Sequence, residues 1–142
     1  MEDINLKLVI AMARSYEELF AQIEMNVRGF GLTLSEFGVL EMLHHKGRQP
    51  VQKIAEKILV TSGTITYVID KLLQRELVYR ERCKTDKRIT YVDLTNKGKM
   101  LIAETFPKHK QFLDELMQGM NVSEKEVLIG RLVTLQEAIK SR

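Results

Sequence analysis

Between Val60 and Gly98 the chain changes its periodicity several times within a short stretch, and that order of patterns restricts the fold more than any other feature. Ile65, Val68, Ile69, Leu72 and Leu73 recur at helical spacing behind Ser62, a good N-cap residue, which predicts a short helix. Leu77–Arg82 and Ile89–Leu94 then gather β-favouring residues on either side of the turn Cys83-Lys-Thr-Asp-Lys-Arg88, which predicts an antiparallel hairpin with a basic tip. Thr95 is placed to cap a new helix.

Upstream, Val51, Ile54, Ala55 and Ile58 give one face of a two-to-three-turn helix, with Pro50 in its first turn. Two helices joined by Leu59-Val60-Thr61 satisfy a helix-turn-helix, and the hairpin adds a wing. The second helix carries Gly63, Thr64, Thr66, Tyr67, Asp70, Lys71 and Gln74 on its polar face, small at the N-terminal end, as entry into a major groove requires. An aromatic such as Tyr67 on the solvated face of a short helix is unusual unless something covers it.

Charge sharpens this expectation. The chain carries a net charge of only +3, yet Lys71–Lys99 holds nine Lys/Arg against four Asp/Glu, leaving a slight acidic excess elsewhere. Arg80, Arg82, Lys84, Lys87 and Arg88 fall within nine residues with only Glu81 and Asp86 interposed. A basic segment on a mildly acidic body suits a face that neutralises phosphates. Arg88, at the wing tip, is the residue best placed to enter a narrow minor groove. A solvated hairpin, or a wing that docks a protein without sequence-specific DNA binding, is the competing interpretation, and it predicts no steep salt dependence.

The flanks are helical. Apolar residues from Leu6 to Val27 predict a long first helix ending near Gly29 and Gly31, and Thr33 with Glu36 makes a capping box for a largely buried second one ending near Gly47. A helix from Thr95 to about Gln118, kinked at Pro107, precedes a last helix with Ser123 and Glu126 as its capping box. Phe112, Leu116, Leu128, Leu132 and Ile139 are among more apolar positions than two isolated terminal helices could hide, so a partner is expected. The whole is read as one domain, 1–142, mainly α with a small antiparallel hairpin: a winged helix-turn-helix lobe over 31–95, flanked by dimerisation helices at 1–30 and 96–142.

Other classes find little support. Apolar residues make up 44% of the chain, no apolar run approaches the roughly 18 to 20 residues of a membrane span, and Met1-Glu-Asp is not a basic signal n-region, so a cytoplasmic protein is expected. No phosphate loop, nucleophile elbow or His-Glu-x-x-His pair suggests an enzyme, and no cofactor is implied. Adjacent His44 and His45 diverge by about 100° on a helix and make a poor metal pair. Cys83, the single cysteine, is either a small apolar residue or, between Arg82 and Lys84, a thiol activated for redox or electrophile sensing.

The run Thr61-Ser-Gly-Thr-Ile-Thr, followed by Leu77-Val, Asp86-Lys-Arg88 and Leu94-Thr-Asn-Lys-Gly98, resembles the MarR family of bacterial transcription regulators. The resemblance implies a homodimer with intertwined terminal helices on a pseudopalindromic double-stranded DNA operator. It further implies a repressor released by a small aromatic ligand or by an oxidant or electrophile. It assigns base-edge contacts to Ser62, Thr64, Thr66 and Tyr67, beside Lys71, and phosphate or minor-groove contacts to Arg88 and its wing neighbours. Asp86 would brace that arginine, and an effector pocket would touch Met12, Tyr16 and His44. The peroxide-sensing branch of the family carries a cysteine in its first helix; this chain has Ser15 beside Tyr16 there, so that mode of sensing is not expected.

Overall fold

The computed structural model describes residues 3–58 and 65–142. Along these run α1 (Ile4–Arg28), α2 (Leu34–Lys46), β1 (Gln49–Pro50), α3 (Val51–Lys57), α4 (Ile65–Gln74), β2 (Val78–Arg82), β3 (Thr90–Leu94), α5 (Asn96–Leu116) and α6 (Val122–Lys140). The chain divides into two compact units, the first ending at His109 and the second beginning at Lys110. Among the described residues no helix is long and apolar enough to cross a membrane.

In the first unit the helix limits follow local chemistry. Asp3 caps α1 by accepting from the Asn5 and Leu6 amides at 2.9 and 3.4 Å. Thr33 and Glu36 form the expected reciprocal box at 2.8 and 3.1 Å, satisfying two amides that the helix leaves unpaired. Phe37, Leu40 and Leu43 of α2 are buried with Ile54 of α3, Val68, Ile69 and Leu72 of α4, and Val78, Val92 and Leu94 of the sheet; α1 adds Val27 and α5 adds Ile102. Fully burying a side chain of this size contributes about 1.5–3 kcal/mol, so this cluster is the main source of the unit's stability.

The sheet has three strands in the order β1-β3-β2, all antiparallel, one more than the expected hairpin. Gln49 and Pro50 pair with Val92 and Tyr91, so Pro50 closes an edge strand and caps α3 instead of sitting in its first turn. Its backbone at φ −62°, ψ 145° suits both tasks, and an edge position tolerates the missing N–H.

Two junctions hold the wing to the helices. After α4 the Leu77 amide reaches back to Leu72 O and the Glu76 amide to Leu73 O, both at 3.0 Å, with Glu76 in the left-handed region at φ +58°. This is a Schellman stop made without glycine. Thr95 caps α5: its hydroxyl accepts from the Gly98 amide at 3.1 Å and donates to Glu76 O at 2.6 Å. Gly98 is glycine because a Cβ there would collide with the Leu77 carbonyl, which explains why the Leu-Thr-x-x-Gly pattern ends as it does.

The α5 helix continues past Pro107 to Leu116, and α6 starts two positions earlier than its expected cap implies. Asn121 and Glu124 form the capping box, at 3.0 and 2.8 Å, in place of Ser123 and Glu126. Asn121 holds an extended backbone, φ −80° and ψ 172°, whereas Ser123 already lies inside the helix. None of the α6 residues is buried.

Candidate nucleic-acid interface

Helix α4 turns Val68, Ile69 and Leu72 into the core, which leaves Thr66, Tyr67, Lys71 and Gln74 exposed on its other side. Tyr67 is 57% exposed, and the Lys71 ammonium lies 5.4 Å from its ring centre, so both project from one surface. Ser62 and Thr64, together with the turn Leu59-Val60-Thr61, lie outside the described residues.

Strand alternation sorts the wing cations. In β2, Val78, Arg80 and Arg82 share the face that carries the buried Val78, while Tyr79 and Glu81 share the other. Arg80 Nη2 donates to Asp70 Oδ1 of α4 at 2.6 Å. On the opposite face Arg48 stacks 4.2 Å over the Tyr91 ring and pairs with Glu81 at 3.4 Å. Between the strands, Asp86 accepts from the Arg88 amide at 3.0 Å and from its guanidinium at 3.1 and 3.2 Å. That fork holds the Asp86 carboxyl below its ordinary range and leaves the Arg88 side chain 91% exposed. Arg82, Lys84 and Lys87 have no acidic partner among the described residues.

A groove of about 460 Å³ runs between α4 and the wing. Pro50, Val51 and Ile69 supply its apolar side, and Thr66, Arg80, Arg82 and Arg88 its polar one. Gln52, at the start of α3, also lines it and was absent from the sequence expectations. The first helix of a helix-turn-helix crosses the DNA backbone, which is the signal that could have singled out Gln52 and the exposed Lys53 and Lys57.

Cys83 Sγ lies 3.3 Å from the Thr85 hydroxyl. That hydroxyl, and then the Asp86 and Thr85 backbone amides, draw its pKa below the ordinary thiol value. The thiol sits in a shallow recess of about 300 Å³ with Arg48, Lys84 and Tyr91. Among the described residues no three His, Cys, Asp or Glu side chains converge as metal ligands.

The expected effector residues fall in two places. Met12 and Tyr16 are exposed one turn apart on α1, with Tyr16 stacked on Phe20 at 4.6 Å. His44 lies instead with His45 and Phe106, 5.0 and 5.9 Å between ring centres. Nearby, buried His109 of α5 stacks 4.7 Å from Phe37 and places Nδ1 2.8 Å from Asn26 Oδ1 of α1, and its burial lowers the imidazole pKa. It ties three helices of the first unit together, a role that one histidine among charged neighbours did not signal in the sequence.

A recognition helix, a three-stranded wing and a shared cationic face define a winged helix-turn-helix DNA-binding protein. The sequence profile described as the MarR family matches residues 32–90. The chain is 42% identical over 127 residues to the HTH-type transcriptional regulator MhqR of Bacillus subtilis, covering 89% of this chain and 88% of that protein. The protein belongs to the MarR family and is a transcriptional regulator of the helix-turn-helix type. AbsC of Streptomyces coelicolor, a MarR family transcriptional regulator, shares the fold with a TM-score of 0.88 at 19% identity over 100% of this chain and 98% of its own. BpsR of Bordetella bronchiseptica, whose DNA binding is regulated by 6-hydroxynicotinic acid, does so with a TM-score of 0.82 at 22% identity, covering 96% and 97%.

Proposed function

We propose that the protein is a cytoplasmic homodimeric repressor that occupies a pseudopalindromic operator and leaves it when a small aromatic ligand binds. The carrying observation is the wing: Arg82, Lys84 and Lys87 present uncompensated charge among the described residues, beside a recognition helix that exposes Thr66, Tyr67 and Lys71. Charge of this kind supplies affinity through counterion release, while the helix reads base edges. Dimerisation is supported by α6, which buries none of its residues although Val127, Leu128, Ile129, Leu132 and Val133 are 41–60% exposed.

Release by an aromatic acid fits the groove between α4 and the wing, where an apolar wall faces the guanidinium groups of Arg82 and Arg88, which phosphates would also use. BpsR, which shares the fold, responds to a ligand of that chemical type. A second route is supported by Cys83, whose pKa is drawn down by the Thr85 hydroxyl at the edge of the wing, which makes its thiolate easier to form. Alkylation there would place a bulky group beside Lys84 and Arg82 without unfolding the dimer.

Selection of bound sequences from random duplex DNA by the purified protein, followed by sedimentation and a salt titration, tests this function. A palindromic consensus, a dimer on DNA and a steep fall of affinity with salt are expected. A monomer with no sequence preference, or binding indifferent to salt, overturns it in favour of a wing that docks protein. Release by an aromatic acid from both the native protein and Cys83→Ser assigns the groove route; release by a quinone-like electrophile that fails on Cys83→Ser assigns the thiol.

A further inference from the structure

The 2.6 Å contact between Asp70 and Arg80 adds a solvent-side polar link between the recognition helix and the wing, beyond the buried core that Ile69 and Leu72 share with Val78 and Val92. Along the chain the two meet at a corner, residues 75–77, closed by the Schellman bonds and held from behind by Thr95 on Glu76 O and by Lys97 Nζ on Arg75 O at 3.0 Å. From it, α4 runs back one turn, about 6 Å, to Asp70. From the same corner β2 runs forward about 7 Å from Val78 to Arg80. The ion pair closes the third side, and a closed triangle cannot change its angle without breaking a side.

We infer that Asp70 and Arg80 are positioning residues, a strut that sets the angle between the recognition helix and the wing, and that Arg80 is not a phosphate ligand. Two observations support this over the obvious alternative. An aspartate facing outward from a recognition helix repels phosphates unless its charge is answered, and Arg80 answers it within the same protomer. Arg82, two residues along the same strand face, has no acidic partner among the described residues and is free to take a phosphate. The two arginines therefore divide the work: one orients, the other binds. The pair is half exposed on both sides, so it contributes little to global stability.

The strut rests on the reading of a dimer on operator DNA, so the native protein is measured first on the duplex it selects and on a random duplex. The full-length variants Asp70→Asn, Arg80→Gln and Arg82→Gln and the exchange Asp70→Arg/Arg80→Asp are compared across a salt series, with melting curves confirming that each is folded. For a strut, Asp70→Asn and Arg80→Gln each weaken operator binding about tenfold, since exposed pairs are worth a factor of up to about five and a dimer carries two. Their salt slopes stay native, binding to random duplex changes little, and the exchange variant recovers most of the loss. Arg82→Gln lowers the slope by about one unit per protomer, as loss of a phosphate contact does. The inference is overturned if Arg80→Gln lowers the slope as Arg82→Gln does, or if Asp70→Asn leaves operator binding unchanged or strengthens it. A native protein that selects no DNA overturns the operator reading and the strut together, whereas failure of the variants alone overturns only the strut.

Discussion

The winged lobe and the last helix treat apolar residues in opposite ways. In the lobe, Phe37, Leu40, Ile54, Ile69 and Val92 are no more than 2% exposed, packed from four elements into one core. In α6, Val122 is 70% exposed and Ile129 and Ile139 are 60% exposed, and α1 joins it in kind, with Val27 its one buried residue and Ile4 at 74%. Both regions contain well-formed helices, and a capping box starts α2 in one and α6 in the other, so local propensity does not separate them. What separates them is closure: the lobe finds its apolar partners within one chain, and the proposed dimer would give the terminal helices theirs.

That contrast can be broken most forcefully at α6. Leu128→Glu with Leu132→Glu should cost the dimer about 3–5 kcal/mol by burying unpaired charge. Sedimentation should then show a monomer, and operator binding should collapse, while the lobe still unfolds cooperatively. A variant that stays dimeric would place the interface elsewhere.

The same substitution made in each region should have opposite signs. Gly98→Ala, where a Cβ meets the Leu77 carbonyl, should lower stability by about 2–3 kcal/mol in urea unfolding. Gly130→Ala, inside α6 with no atom within 4 Å of the added methyl, should raise it by about 0.5–1 kcal/mol through helix propensity. If Gly130→Ala instead disrupts the dimer, the polar side of α6 is also part of the interface.

The smallest effect belongs to His109, the buried imidazole packed among α1, α2 and α5. Burial lowers its pKa below the ordinary 6.5, so the folded state binds fewer protons than the unfolded one just beneath that value. Its contribution to stability is complete above pH 6.5 and declines as pH falls below it. His109→Gln, which keeps a hydrogen-bonding group near Asn26, should flatten the pH dependence of the melting temperature between pH 7.5 and 5.5, and a variant with the native pH dependence would show that this imidazole does not set it.

Local chemistry was legible from the residues alone. Thr33 with Glu36, Thr95, the helical spacing of Val68, Ile69 and Leu72, and the alternation along the hairpin each act over a few neighbours, so the order of elements followed from them. The MarR pattern was legible for the same reason: Asp86 and Arg88 are two residues apart, and Gly98 answers to a backbone collision that any chain of this topology would meet. At the α6 cap the local rule pointed to Ser123, and the folded backbone set the box two residues earlier, at Asn121.

Contacts between distant residues were decided by the tertiary structure. The third strand arises because Gln49 and Pro50 meet Val92 and Tyr91, more than forty residues away, and a two-residue strand leaves no periodicity to read. His109 gained its place from Asn26 and Phe37, and Arg80 its partner from a helix that turns a corner before the strand begins. A row of five wing cations looks uniform in the sequence because charge is a property of each residue. Which of them is neutralised, which is forked to Asp86 and which remains open depends on the direction each side chain leaves the sheet, and only the folded chain sets those directions.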